Sequence, residues 1–178
     1  MIEEAKRFHH HNSQTFMPDS SIRTKANEIV SSSWLGKLGE IAVCSCYHRL
    51  AINDESFEHD LIILGQRIEI KTKKCSSPPH GDYLCSVAKS SAFQKPDYYC
   101  FVRIRDDLAI GWILGFISHA RFYEIAFFKR AGELDKNGWS FKRDCFNIEA
   151  KNLSFREFPP PQDCEHSAFL SLLFQARS

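Results

Sequence analysis

The sequence predicts an α/β fold: one central mixed β-sheet flanked by helices, with β-hairpin additions towards the C-terminus. Three stretches predict it. Residues 33–50 are apolar round most of a helical circumference, 61–72 alternate as two short strands, and 98–104 (Tyr-Tyr-Cys-Phe-Val-Arg-Ile) form a near-continuous apolar strand. A helix of the first kind is buried on several sides, and a strand of the last kind is buried on both faces.

The chain has 178 residues, of which 43% are hydrophobic, enough for one domain with a sizeable core. It divides into a polar, flexible N-terminal arm (1–17), a single domain (18–158) and a Pro-rich step with a C-terminal tail (159–178). In the arm, His9, His10 and His11 are consecutive, so no helix turns all three towards one ion. No apolar run approaches the ~20 residues that span a bilayer. The start, Met-Ile-Glu-Glu-Ala-Lys-Arg, has no apolar signal core, so a cytoplasmic protein with no membrane partner is expected. Cys44, Cys46, Cys75, Cys85, Cys100, Cys145 and Cys164 include no C-x-x-C pair and match no common zinc spacing. They read as reduced, buried small hydrophobes. The net charge of +1 counts against a protein that coats nucleic acid without specificity, so the position of the cations matters more than their number.

In chain order, a first helix starts at Pro18-Asp19-Ser20-Ser21, capped by Asp19 or Ser20, and runs to about Val30. Ser31-Ser32-Ser33 breaks it and caps the second helix, 33–50. There Glu40 shares a stripe with Gly36, Val43, Cys44 and Tyr47. Gly36 and Gly39 each cost a helix ~1 kcal/mol against Ala, which suggests close approach to a sheet or to a substrate backbone. A polar loop, Asn53–Glu58, leads to two strands, Leu61–Leu64 and Arg67–Thr72, with Gly65-Gln66 as the turn between them. With that turn Leu64 faces Arg67, Ile62 faces Glu69 and Asp60 faces Lys71. Asp60, Glu69 and Lys71 then share one side of the hairpin, while Leu61, Ile63, Ile68 and Ile70 share the other.

Cys75–Gly81 is a loop, Tyr83–Val87 a strand, Ala88–Gln94 a short helix and Tyr98–Ile104 the central strand. Arg105-Asp106-Asp107 turns the chain into a further strand, Leu108–Ser118, followed by a helical turn at His119–Tyr123. Ala126–Phe128 is extended, a strand lies near Asp144–Ile148, and the run from Gly132 to Phe146 reads as a β-hairpin appendix. Pro159-Pro160-Pro161 is a stiff step. Ser167–Ala176 holds a short amphipathic helix that docks on the core or on a second copy of the chain, so a homo-oligomer stays open.

Glu40, Asp60, Glu69 and Lys71 together resemble the signature of the PD-(D/E)XK nuclease superfamily. In that family a helix glutamate precedes an aspartate at a strand start, and Glu-x-Lys follows on the next strand. The resemblance spans about residues 33–105, with His59 standing where Pro commonly precedes the aspartate. It implies a restriction-endonuclease-like core of the small phage type, and a metal-dependent deoxyribonuclease that hydrolyses DNA with a water activated on Mg²⁺, Mn²⁺ substituting. Asp60, Glu69 and the Ile70 carbonyl would be metal ligands, and Glu40 would act through water or on a second ion. Lys71 would orient or deprotonate the nucleophilic water and stabilise developing charge. Lys73, on the same face by alternation, and Lys89, after the third strand, are candidate substrate contacts, with Ser86 and Gln94 as further polar candidates. His119, Arg121, Lys129, Arg130, Lys142 and Arg143 could form a DNA-facing rim. Some relatives hold an iron–sulfur cluster on four cysteines, but the cysteines here lie within apolar strands and helix.

Two other readings stand beside the enzyme: a catalytically inactive nucleic-acid-binding or scaffold domain of the same fold, and an unrelated α/β domain whose hairpin is only a charged surface. The intact set of four residues favours the enzyme. Exonuclease, restriction-like endonuclease and junction resolvase differ in loops and assembly, which the sequence leaves open.

Overall fold

The computed structural model describes residues 34–47, 51–53, 59–108 and 110–159. The helix expected over 18–30, the histidine run, residues 54–58 of the polar loop and the tail helix lie outside the described residues.

Helix α1 covers 34–46 and buries Leu38, Ala42, Val43 and Cys46; within 34–47 only Ser45 is exposed. That is the consequence of apolar residues round most of its circumference. Eight strands follow: β1 (Ala51–Asn53), β2 (Leu61–Ile63), β3 (Gln66–Cys75), β4 (Leu84–Ala88), β5 (Tyr98–Arg105), β6 (Gly111–Ser118), β7 (Phe127–Lys129) and β8 (Cys145–Glu149). A 3₁₀ turn, Lys89–Ser91, leaves β4, and a short helix α2, His119–Ile125, leaves β6. The α2 start is capped by Ser118, whose hydroxyl accepts the Arg121 amide.

Five strands form the main sheet in the order β1-β2-β3-β5-β6. All neighbours are antiparallel except β3 and β5, which run parallel from Ile68↔Tyr98 to Cys75↔Arg105. A parallel pair needs a crossover. This one passes through β4, which belongs to a second, three-stranded antiparallel sheet of order β4-β8-β7.

The main sheet divides the core in two. Towards α1 it presents Ile68, Ile70, Cys100, Val102, Ile113 and Phe116. Towards the second sheet it presents Tyr99, Phe101, Trp112, Leu114 and Ile117, which meet Cys85, Val87, Ile148 and Phe122 of α2. Strand β5 is therefore buried on both faces, as its composition predicts. Phe158 closes the α1 side: its ring packs 4.6 Å from that of Phe116, and its carbonyl accepts the Tyr47 hydroxyl at 2.8 Å.

The α/β class stands, with three differences from the expected arrangement. Among the described residues α1 covers one face of the main sheet, while a second sheet together with the short α2 covers the other. Strand β1 was not expected, because three residues carry no periodicity. The Gly132–Phe146 run supplies most of the connection between β7 and β8, which pair as a hairpin from Phe127↔Asn147 to Lys129↔Cys145. Among the described residues no helix is long and apolar enough to cross a membrane. The six described cysteines carry no disulfide, and five of them are buried.

Candidate active site

The hairpin carrying the acids turns on Leu64 and Gly65, both with positive φ (52° and 76°). This is the geometry of a two-residue turn whose twist matches that of the flanking strands. The turn therefore lies one residue earlier than Gly65-Gln66, and Gln66 pairs with Ile63 as a strand residue. The register moves with it: Leu61 opposes Ile68 and Ile62 opposes Arg67, while Asp60 lies just before β2 with its amide on the Ile68 carbonyl, and not opposite Lys71. The shift amounts to two residues of pairing, so the paired strand residues keep their faces. Leu61, Ile63, Ile68 and Ile70 are buried as expected.

Two backbone bonds fix Asp60 at the mouth of the hairpin. Its amide donates to the Ile68 carbonyl at 3.0 Å, and its Oδ2 accepts the Ile70 amide at 2.7 Å. In a strand a residue's N–H and C=O point to the same side, so the Ile70 carbonyl is turned towards the edge where Asp60 lies. Glu69 is only 5% exposed, and its Oε1 accepts the Lys71 ammonium at 2.5 Å. Burial and then the Glu69 carboxylate push the Asp60 carboxyl up to about 7; Glu40 adds to the rise, while the Ile70 amide and Lys71 oppose it.

Glu40 comes near Asp60 because α1 lies tight against β3. A Cβ placed on Gly39 would stand 1.9 Å from Thr72 Oγ1, so that residue must be glycine for the helix to seat. Gly36, by contrast, has open space at the same position. The Glu40 carboxylate itself is bonded to Lys37 at 3.0 Å, within its own helix.

Among the described residues no group of three or more His, Cys, Asp or Glu side chains is placed to hold a metal ion. The fit to a hard divalent cation rests on fewer donors: Asp60 Oδ1, Glu69 Oε2 and the Ile70 carbonyl. Mg²⁺ is commonly held by one or two carboxylates with several waters retained. The suppressed acidity of Asp60 comes first from burial and second from the neighbouring carboxylates, and a cation would relieve only the second.

Beyond Lys71 the same face continues with Lys73, whose ammonium donates to Ser86 Oγ at 2.7 Å; Ser86 donates in turn to Asn147 Oδ1 at 2.6 Å. Lys73 as a residue is exposed, but desolvation of its amine against Ser86 and then the neighbouring Arg103 bring it down to about 8, with Cys85 and Cys145 acting the other way. Lys89 lies elsewhere, at the end of β4, with its ammonium 3.6 Å from Asp144 and 5.7 Å from the Phe128 ring centre. Of the expected rim, Arg121 pairs with Glu124 and Lys129 with Glu133. His119 stacks on Tyr99 with its Nε2 buried. Lys142 and Arg143 are exposed.

Two residues that the sequence reading passed over are Arg103 and Asn147. Arg103 is 9% exposed and lies beside Lys73 in the β3–β5 register; its guanidinium donates to the Leu84 carbonyl at 2.5 Å. The signal for it was a lone cation inside an otherwise apolar strand, since a buried charge needs a reason to be there. Asn147 is fully buried on β8, and only the pairing Ser86↔Asn147 brings it to this face.

No protein-family model matches the chain, and no curated protein matches it.

Proposed function

We propose that the chain is a metal-dependent nuclease that hydrolyses phosphodiester bonds of DNA, with a site of the PD-(D/E)XK kind. The observation that carries this reading is that the Ile70 amide, between Glu69 and Lys71, holds the Asp60 carboxylate, with Lys71 hydrogen-bonded to Glu69. Asp60 Oδ1, Glu69 Oε2 and the Ile70 carbonyl would hold Mg²⁺, Mn²⁺ substituting, and Glu40 would reach it through water. When bound, the ion supplies a water of lowered pKa and neutralises charge on the phosphate.

The chain's own residues do the rest. The Ile70 amide holds the Asp60 carboxylate in one orientation. Lys71 is a donor held against Glu69 on the side where a phosphate would lie, so it can position the attacking water and stabilise charge on a phosphoryl oxygen. Burial of Glu69 removes competing solvent and strengthens both effects.

A second reading, an inactive nucleic-acid-binding or scaffold domain of the same fold, is favoured by one observation: Lys71 already neutralises Glu69, and the described acids form no three-membered cluster. Labelled linear, circular, single-stranded and branched DNAs, incubated with Mg²⁺, Mn²⁺ or EDTA, separate the two. The enzyme reading expects cleavage that EDTA abolishes and that Asp60→Ala or Lys71→Ala removes. Binding without cleavage under all three conditions supports the second reading.

A further inference from the structure

The seam between β3, β5 and β4 holds two cations with no anion. Lys73 and Arg103 are register partners on adjacent parallel strands, and both reach towards β4. Lys73 bonds to the Ser86 hydroxyl and Arg103 to the Leu84 carbonyl, while the charged or ionisable groups around them are each other, Cys75, Cys85, Cys145 and the Tyr83 phenol. None of these is a carboxylate. Arginine buried in this way ordinarily meets a carboxylate or phosphate, since desolvating a cation without a counter-charge is costly. Here the Arg103 guanidinium has the Leu84 carbonyl and, 5.7 Å away, the Tyr83 ring, but no carboxylate among the described residues.

Lys71, Lys73, Ser86 and Arg103 also line a small cleft of ≈ 10 Å³. That is room for one oxygen-sized group, not for a whole free ion. Ser86 directs its proton to Asn147 and accepts from Lys73, so the pair is not poised as a nucleophile with its base; it is a set of donors that a rotation of one hydroxyl would complete.

We infer that this seam is an anion seat that takes one phosphoryl oxygen of a nucleic-acid backbone, bound by Lys73, Arg103 and Ser86. Lys71 and Lys73 are two residues apart on one face, about 6.6 Å along the strand. A phosphate at Lys71 and its neighbour at Lys73 can then belong to one strand of substrate. The inference deepens the nuclease reading by naming where the phosphate next to the reacting one sits, but its test needs no cleavage.

The full chain in EDTA is titrated with thymidine 5′-monophosphate, with thymidine and with sodium chloride at matched ionic strength, following the amide resonances of Lys73, Ser86 and Arg103. Saturable shifts at these amides with the monophosphate alone are expected. Binding should weaken about tenfold in Lys73→Met and in Ser86→Ala, the scale of one charge-assisted hydrogen bond, and hold within about twofold in Lys73→Arg. Unchanged affinity in Lys73→Met with an otherwise native spectrum, no shift at the seam, or the same shift with chloride would each overturn the inference. Glu69→Gln separates the two readings: it should lose cleavage and keep this binding. Cleavage by the parent chain without phosphate binding at the seam removes the seat and leaves the nuclease. Binding at the seam without cleavage does the reverse.

Discussion

Asp60 Oδ2 accepts the Ile70 amide at 2.7 Å, so the carboxylate is locked onto the strand that carries Glu69 and Lys71. A side chain just before β2 thereby completes a backbone hydrogen bond of β3. The same bond sets the orientation of the acid on which the proposed chemistry depends.

The locked acid gives stability an unusual pH dependence. Its folded-state pKa is about 7 against an ordinary 3.8, so between these values the folded chain holds a proton that the unfolded chain has released. This contribution to stability is complete below pH ~4 and is lost as pH rises through ~7. Asp60→Asn keeps an oxygen for the Ile70 amide and should stabilise the metal-free protein at pH 8 by about 1–4 kcal/mol while abolishing cleavage. Urea titrations in EDTA at pH 5 and pH 8 check it; a variant no more stable than the parent at pH 8 contradicts it.

Lys71 is the cation that Glu69 has in the fold. Lys71→Met should destabilise the protein by about 2–4 kcal/mol, because a carboxylate 5% exposed is left without its partner. Glu69→Gln combined with Lys71→Met should recover most of that loss and remain inactive. Additive losses in the double variant would show that the two side chains do not act as a pair.

The two glycines of α1 should respond in opposite directions. Gly39→Ala places a Cβ 1.9 Å from Thr72 Oγ1 and should cost about 1–3 kcal/mol. Gly36→Ala meets nothing within 4 Å and should gain about 0.5–1 kcal/mol from helix propensity. Thermal melts of the two variants side by side suffice, and equal effects would mean that α1 is seated differently.

Leu64 adopts φ 52° and is 56% exposed, so its side chain gives little in return for a left-handed backbone. Leu64→Asn should raise stability by about 0.5–1 kcal/mol and leave activity unchanged. A loss of stability would show that Leu64 has a contact worth more than the backbone strain.

The faces of the hairpin were legible because alternation of Ile with charge is a local signal: Ile68 and Ile70 against Glu69 and Lys71 needs only the period of a strand. The register was not, because Gly65 suits either position of a two-residue turn and only backbone angles decide between them. Strand β5 followed from composition, and the close approach suggested for the two helical glycines holds for Gly39 against β3 but not for Gly36. The division into two sheets did not, since Cys85 meets Ile148 through pairing between segments far apart in the chain. Lys73 could be placed on the charged face from alternation, but its partners Ser86, Asn147 and Arg103 come from three other strands. No local pattern encodes their meeting.

The crossover from β3 to β5 makes the two sheets one event. The parallel pair at the centre of the main sheet cannot be threaded without laying down β4, and β4 gains its neighbour only when β8 arrives much later in the sequence. Non-local pairings of this kind are slow to form. While they are pending, Asp60 remains a wetted carboxylate of ordinary acidity on a bare hairpin. Its altered protonation is thus acquired only at the end of folding, and reports that the chain has reached its finished form.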